Sequence, residues 1–255
     1  MIILLIIRLM IKKIFNYSPN FELKKRRKNQ IQFLILHYTG MEKETDAIKR
    51  LTNTKYKVSS HYFIKANGEI IVLVPDLYIA WHAGESYWKN FKYLNKNSIG
   101  IEISNPGHEY NYKNFSDKQI KSVLKLIKYL IKKYKIKSSN ILGHSDIAPT
   151  RKKDPGEKFP WRLLAQKKIG VWHSIPKITL KKNRLKLVDS KLEKYFFKKL
   201  KKIGYVFNNS EILSKKNFFN LIVKTFQRRY RQEVINGKVD KECVLISENL
   251  AKKLN

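Results

Sequence analysis

Six histidines occur in this 255-residue chain, at His37, His61, His82, His108, His144 and His173, against a single cysteine, Cys243. Two of them close apolar runs: His37 ends the stretch that begins near Ile31, and His144 follows Ile141-Leu142-Gly143. Asp154 stands ten residues beyond His144, on a polar, proline-containing stretch able to fold back over the same end. Two imidazoles and one carboxylate fill three corners of a tetrahedron and leave the fourth open, the pattern of a catalytic rather than a structural zinc. One cysteine excludes both an intramolecular disulfide framework and a multi-cysteine zinc knuckle, so a metal here must use histidine and carboxylate. Strand-end histidines are common in α/β proteins, and spacing alone leaves a purely structural role open for all three residues.

The elements that must carry these groups are legible from periodicity. Ile31, Phe33, Ile35 and His37 face one way and Leu34 and Leu36 the other, which predicts a buried strand ending at His37-Tyr38-Thr39-Gly40. A short helix is expected over 45–53. Asn67-Gly68, between the apolar stretches 58–64 and 69–74, predicts a hairpin, and 98–104 reads as a further strand. Ser116 with Gln119 makes a capping box, and Ile120, Val123, Leu124, Ile127, Leu130, Ile131 and Tyr134 then recur along one helical face. Ile141 to His144 is the strand that returns after that helix, and 145–161 is a loop. Strands alternating with helices give an α/β fold, a mixed central β-sheet flanked by helices. After a polar stretch at 177–190, apolar helical faces recur at Leu192, Tyr195, Phe196, Leu200 and Ile203, then at Phe219, Ile222, Val223 and Phe226. Asp240 caps a third helix carrying Cys243, Ile246, Leu250 and Leu254, so a small C-terminal helical bundle is expected.

With 43% hydrophobic residues, 10 Gly and 7 Pro, the composition excludes global disorder and a fibrous repeat. Lys and Arg number 54 against 20 Asp and Glu, a formal charge of +34. Such a field draws in polyanions. However, lysine, isoleucine and asparagine are abundant together along the whole chain, and no window interleaves a basic stripe with aromatic platforms, so no specific nucleic-acid partner is expected. The charge suits retention on an anionic cell wall. Met1 to Met10 is apolar but carries Arg8 and is too short to span a bilayer. It reads as a degenerate export signal, a membrane-surface anchor with weak contact through residues 1–15, or a misassigned start.

Six segments in order then carry a resemblance. Leu36-His37-Tyr38-Thr39, Val58-Ser59-Ser60-His61-Tyr62, Ala80-Trp81-His82-Ala83-Gly84, Asn97-Ser98-Ile99-Gly100-Ile101-Glu102, Asn105-Pro106-Gly107-His108, and Gly143-His144-Ser145-Asp146-Ile147-Ala148-Pro149 running on to Asp154-Pro155-Gly156 resemble the zinc-dependent N-acetylmuramoyl-L-alanine amidases of the AmpD/AmiD type. That family shares its fold with bacteriophage T7 lysozyme and the animal peptidoglycan recognition proteins. The resemblance covers roughly 17–172. In the tail, Ile203-Gly204-Tyr205, Phe226-Gln227-Arg228-Arg229-Tyr230-Arg231, Asn236-Gly237 and Asp240 resemble the peptidoglycan-binding helical module of AmiD-type enzymes.

The resemblance implies a role for each matching residue. His37, His144 and Asp154 would hold Zn²⁺, whose bound water has a pKa near 7 rather than about 15.7. Glu102 would take the proton from that water as it attacks the lactyl carbonyl and return it to the departing L-alanine nitrogen. Lys152 would face the oxyanion, where a fixed cation helps most as charge develops. A second lysine, Lys153, intervenes before Asp154, and only the two-residue offset selects Lys152. Arg151, Trp81, His82 and His61 are the substrate-binding candidates, with core packing or hydrogen-bonded structure as the plainer reading, above all for His61; Trp88 is a sugar platform or core. Asp146 follows His144 too closely to face the same ion. His108 and His173 read as surface or packing.

The implied organisation is an apolar segment over 1–16, a catalytic domain over 17–176, a linker over 177–190 and a peptidoglycan-binding-like helical domain over 191–255. The implied activity is hydrolysis of the amide between N-acetylmuramic acid and L-alanine, in a monomer acting on peptidoglycan or muropeptide. The alternative is a non-catalytic peptidoglycan-binding protein on the same fold; such binders lack a zinc ligand. The cell envelope, periplasmic or membrane-associated, is the expected location, with the cytoplasm as alternative.

Overall fold

The computed structural model describes residues 13–207 and 214–254, so most of the apolar N-terminal segment lies outside the described residues. Its strands are β1 (Lys13–Phe15), β2 (Phe21–Glu22), β3 (Phe33–Tyr38), β4 (Tyr62–Ile64), β5 (Ile70–Val72), β6 (Ile79–Ala80), β7 (Tyr87–Trp88), β8 (Phe91–Lys92), β9 (Ser98–Ile103) and β10 (Ile141–Gly143). Its helices are α1 (Glu44–Thr52), α2 (Asp117–Tyr134), α3 (His144–Ile147), α4 (Trp161–Gln166), α5 (Lys177–Asn183), α6 (Ser190–Ile203), α7 (Lys215–Tyr230) and α8 (Lys241–Lys253). Six strands form one mixed sheet in the order β1-β5-β4-β9-β3-β10, with β2 and β6, then β7 and β8, paired as short ribbons. The α/β class with a C-terminal helical bundle is as the sequence predicts.

Alternation along β3 sorts the sheet into two faces. Leu34 and Leu36, with Ile99, Ile101 and Ile103 of β9, bury against Ile120, Val123, Leu126, Ile127 and Leu130 of α2. That helix starts where the sequence places it: the Ser116 hydroxyl accepts from Gln119 N–H, and the Gln119 side chain returns to Ser116 N–H. Phe33 and Ile35 face the other way and share a core with Leu142, Ile147 and the helices from α5 onward, including Leu180, Phe196, Ile222, Phe226 and Ile246. The polar stretch over 177–190 therefore contains the helix α5 and contributes to this core. Asn67-Gly68 turns β4 back on β5, with Gly68 at φ +87°.

Asp240 caps α8 through Cys243 N–H, as its position in the sequence predicts. Trp88 is buried edge-on against Tyr205, which settles it as core.

Candidate active site

β3 and β9 run parallel with His37 directly beside Glu102, so the two side chains rise from the same face, beyond Ile35 and Gly100. β10 lies parallel on the other side of β3 and delivers His144 as the first residue of α3. Asp154 returns over them because its carbonyl accepts the Ser145 N–H at 2.9 Å. Four chemical groups thus meet at the C-terminal ends of three neighbouring parallel strands, where an α/β sheet opens a crevice.

His37 Nδ1 lies 3.0 Å from His144 Nδ1, and both lie 3.0 Å from Asp154 Oδ2. The centre of a triangle with 3.0 Å sides is about 1.7 Å from each corner, inside the roughly 2.0–2.1 Å that zinc keeps from nitrogen and oxygen, so these three donors are close enough together to hold one such ion. All three residues are buried. Burial pushes the His37 imidazole down to about 4, with His144 adding to the fall and Asp154 resisting it. Burial works against the Asp154 carboxylate, yet the two imidazoles outweigh it and hold that carboxyl well below its ordinary range.

These residues line a cleft of about 490 Å³ together with Glu102, Trp81, Arg151 and Lys152. Glu102 differs from every other acid around it: its Oε2 is buried with no hydrogen-bond partner among the described residues. Burial pushes its pKa well above the usual carboxylate range, Asp154 pushes the same way, and Lys152 pulls against them. Lys152 acts on His37 and Glu102 alike, whereas Lys153, in the same cleft, pairs with Glu109 at 3.5 Å. Arg151 donates from Nη2 to the carbonyls of Ala83 and Glu85, at 3.0 and 2.7 Å.

The other histidines are engaged by the protein. His82 has one ring nitrogen 3.1 Å from His37 Nε2 and the other 3.2 Å from Ser98 Oγ. His61 accepts the Gly100 N–H at Nδ1, and its Nε2 meets the Tyr78 carbonyl and the buried Arg26 guanidinium. His108 bridges Tyr38 and Glu157 at 2.8 and 3.0 Å. His173 stacks beside Trp172.

Periodicity gave no sign of Arg229, because it acts across the chain. From α7 it pairs with Asp146 and donates to the Ile141 carbonyl at 2.9 Å. Tyr205 also donates to Asp146, at 2.8 Å, and Asp146 accepts the Gly143 N–H at 2.7 Å. Asp146 thus braces the turn that carries His144 and is saturated by structure.

A family profile described as N-acetylmuramoyl-L-alanine amidase matches residues 27–157. The chain is 33% identical to the N-acetylmuramoyl-L-alanine amidase AmiD of Escherichia coli, over 92% of this chain and 90% of that one. It is 33% identical to the 1,6-anhydro-N-acetylmuramyl-L-alanine amidase AmpD of Haemophilus influenzae over 56% of its own length and 85% of the relative's. The solved E. coli AmiD in complex with anhydro-N-acetylmuramic acid-L-Ala-D-γ-Glu-L-Lys superposes with a TM-score of 0.77, covering 91% of this chain and 93% of that one at 31% identity. AmpDh3 of Pseudomonas aeruginosa, in complex with an anhydromuramic pentapeptide, gives 0.76 at 28% identity, covering 92% and 96%. Sheet, cleft and sequence agree: this chain belongs to the N-acetylmuramoyl-L-alanine amidase family, in its AmpD/AmiD-type branch.

Proposed function

We propose that the chain is a peptidoglycan amidase that hydrolyses the bond between N-acetylmuramic acid and the L-alanine of the stem peptide, with Zn²⁺ as cofactor. The observation that carries this reading is the triangle of His37, His144 and Asp154 beside the unpartnered carboxyl of Glu102, in one cleft of a chain from this family. Zn²⁺ in that triangle supplies Lewis acidity, which makes water a competent nucleophile near neutral pH.

The remaining work falls to side chains. A carboxyl whose pKa is raised by burial holds and releases a proton readily, so Glu102 takes one from the attacking water and passes it to the leaving nitrogen, since an amide departs poorly unless protonated. Lys152 places a fixed cation in the cleft as the carbonyl oxygen gains charge. Trp81 and Arg151 flank the groove and are assigned to substrate contact; His82 and His61 support it from behind.

The alternative, a binding protein that does not cut, is disfavoured by the full donor set standing beside Glu102. The test is incubation of zinc-loaded protein with anhydro-N-acetylmuramyl tripeptide, followed by mass spectrometry. Free tripeptide with an N-terminal alanine is expected, lost on chelation and restored by zinc. Binding of the fragment without cleavage would make this a receptor.

The helical unit over 191–255 is assigned to holding the insoluble polymer, and the chain to a monomer at the cell envelope. Among the described residues no helix is long and apolar enough to cross a membrane.

A further inference from the structure

The segment Trp81-His82-Ala83-Gly84 lies behind both histidines of the metal triangle, and donor bookkeeping fixes where each proton must sit. The Ser98 hydroxyl donates to the Leu94 carbonyl at 2.6 Å, so its proton is spent there. Ser98 Oγ can then only accept from His82 Nε2–H, 3.2 Å away. His82 Nδ1 is left as a bare acceptor, and it takes the proton that His37 carries on Nε2, at 3.1 Å. A neutral His37 donating from Nε2 has its lone pair on Nδ1, the atom 3.0 Å from Asp154 Oδ2. His144 follows the same logic through the next residue: its Nε2 is 3.2 Å from the Ala83 carbonyl, which can only accept, and its Nδ1 faces Asp154 at 3.0 Å.

Two further features hold this segment in place. His82 and Ala83 donate their N–H groups to Asn95 Oδ1 at 3.1 and 2.7 Å. The His82 ring lies flat on Gly100, where an added Cβ would come within 2.4 Å of the ring. Ser98, Gly100 and Glu102 alternate on one face of β9, so a single strand anchors the His82 ring, makes room for it and presents the carboxyl.

We propose that the Trp81–Gly84 segment is the positioning element of the metal triangle, His82 setting the tautomer and ring plane of His37 and the Ala83 carbonyl setting those of His144. This rests on reading the triangle as a metal site. Both rings thereby turn unprotonated Nδ1 atoms onto a carboxylate oxygen, an arrangement that a divalent cation completes. Outer-sphere partners of this kind orient metal-bound histidines, and their removal typically costs about 10–100-fold in metal affinity.

The test measures zinc affinity of the full chain by competition with a chromophoric chelator, alongside ¹⁵N imidazole spectra and thermal melting. Wild type is expected to bind one zinc per chain and to carry the His37 proton on Nε2. His82→Ala should bind zinc about 10–100-fold more weakly, and His82→Asn, which keeps an acceptor near the Nδ1 position, should recover most of the loss. Gly100→Ala should weaken zinc in the same direction by displacing the ring, although Gly100 touches no metal ligand. Ser98→Ala, which leaves the ring packed, keeps the test decisive if a ring variant fails to fold: it should weaken zinc with little change in melting. Zinc affinity and the His37 tautomer unchanged in Ser98→Ala and His82→Ala, whatever happens to melting, would overturn the positioning role while leaving the metal site intact. A wild type that takes up no zinc would overturn both.

Discussion

The two faces of the central sheet are built from alternate residues of the same strands, yet they are stabilised by different means. The face under α2 is aliphatic at its centre, where Leu34, Leu36, Ile99, Ile101 and Ile103 meet Val123, Leu126 and Leu130 and apolar burial holds them; its polar contacts stand at the margin, where Tyr62 and Tyr134 donate to Asp76. The opposite face begins as core at Phe33 and Ile35 and becomes polar within one residue pair, at His37 and Glu102. There the buried charged and imidazole groups are matched by hydrogen bonds, Asp146 by Arg229, Tyr205 and Gly143, and His61 by Gly100 and Tyr78. Among the described residues Glu102 is the acid left unmatched. A buried carboxyl oxygen without a partner costs stability. Glu102 stands beside the triangle of His37, His144 and Asp154, where the proposed reaction would draw on it.

Four substitutions distinguish the two faces. The largest effect is expected for Glu102→Gln: turnover falls by about 10²–10⁴-fold, zinc stays bound and melting holds or rises, since a neutral amide suits a site without partners. Loss of zinc in that variant would make Glu102 a ligand and erase the distinction. Next, Arg229→Met keeps volume but strips Asp146 of its cation, and urea unfolding should show a loss of about 3–5 kcal/mol. On the aliphatic face, Leu126→Ala should cost about 2–5 kcal/mol through the cavity it leaves, with zinc affinity and kcat unchanged.

The smallest effect is in pH. Burial pushes His61 down to about 3 from an ordinary 6.5, so between those values the unfolded chain binds a proton that the folded one refuses. Its contribution is whole above pH 6.5 and is lost as pH falls. Between pH 6.5 and pH 5 this amounts to about 2 kcal/mol at roughly 1.4 kcal/mol per pH unit. Urea unfolding of His61→Gln should show a flatter acid limb by that amount, while Leu126→Ala keeps the wild-type slope.

What the sequence disclosed follows the same division. The aliphatic face was readable because burial leaves a period: two in β3, 3.6 in α2, with Ser116 and Gln119 marking the helix start. Of the candidate site, His37, Glu102, His144 and Asp154 were named from the resemblance, and the structure brings them together at the strand ends. The polar matching was not readable, since Arg229 stands 83 positions from Asp146 and His82 45 from His37, and pairing at such distances leaves no local pattern. One signal was present. Ser98-Ile99-Gly100-Ile101-Glu102 puts a glycine between two polar residues on an inward face, which marks room kept for another side chain. Strand ends were also overdrawn: β4 spans only Tyr62–Ile64, because the preceding residues turn aside to hold the segments around Asn20 and Trp81.

The brace between α7 and the His144 turn bears on any attempt to exchange tails between such enzymes. A chimera joined at residue 190 would carry away both the guanidinium of Arg229 and the phenol of Tyr205, and Asp146 would keep only one of its three donors. A replacement tail chosen for its affinity for polymer alone would give a hydrolase with a slack hinge under its own histidine; one that supplies a cation and a hydroxyl at that spot would be interchangeable.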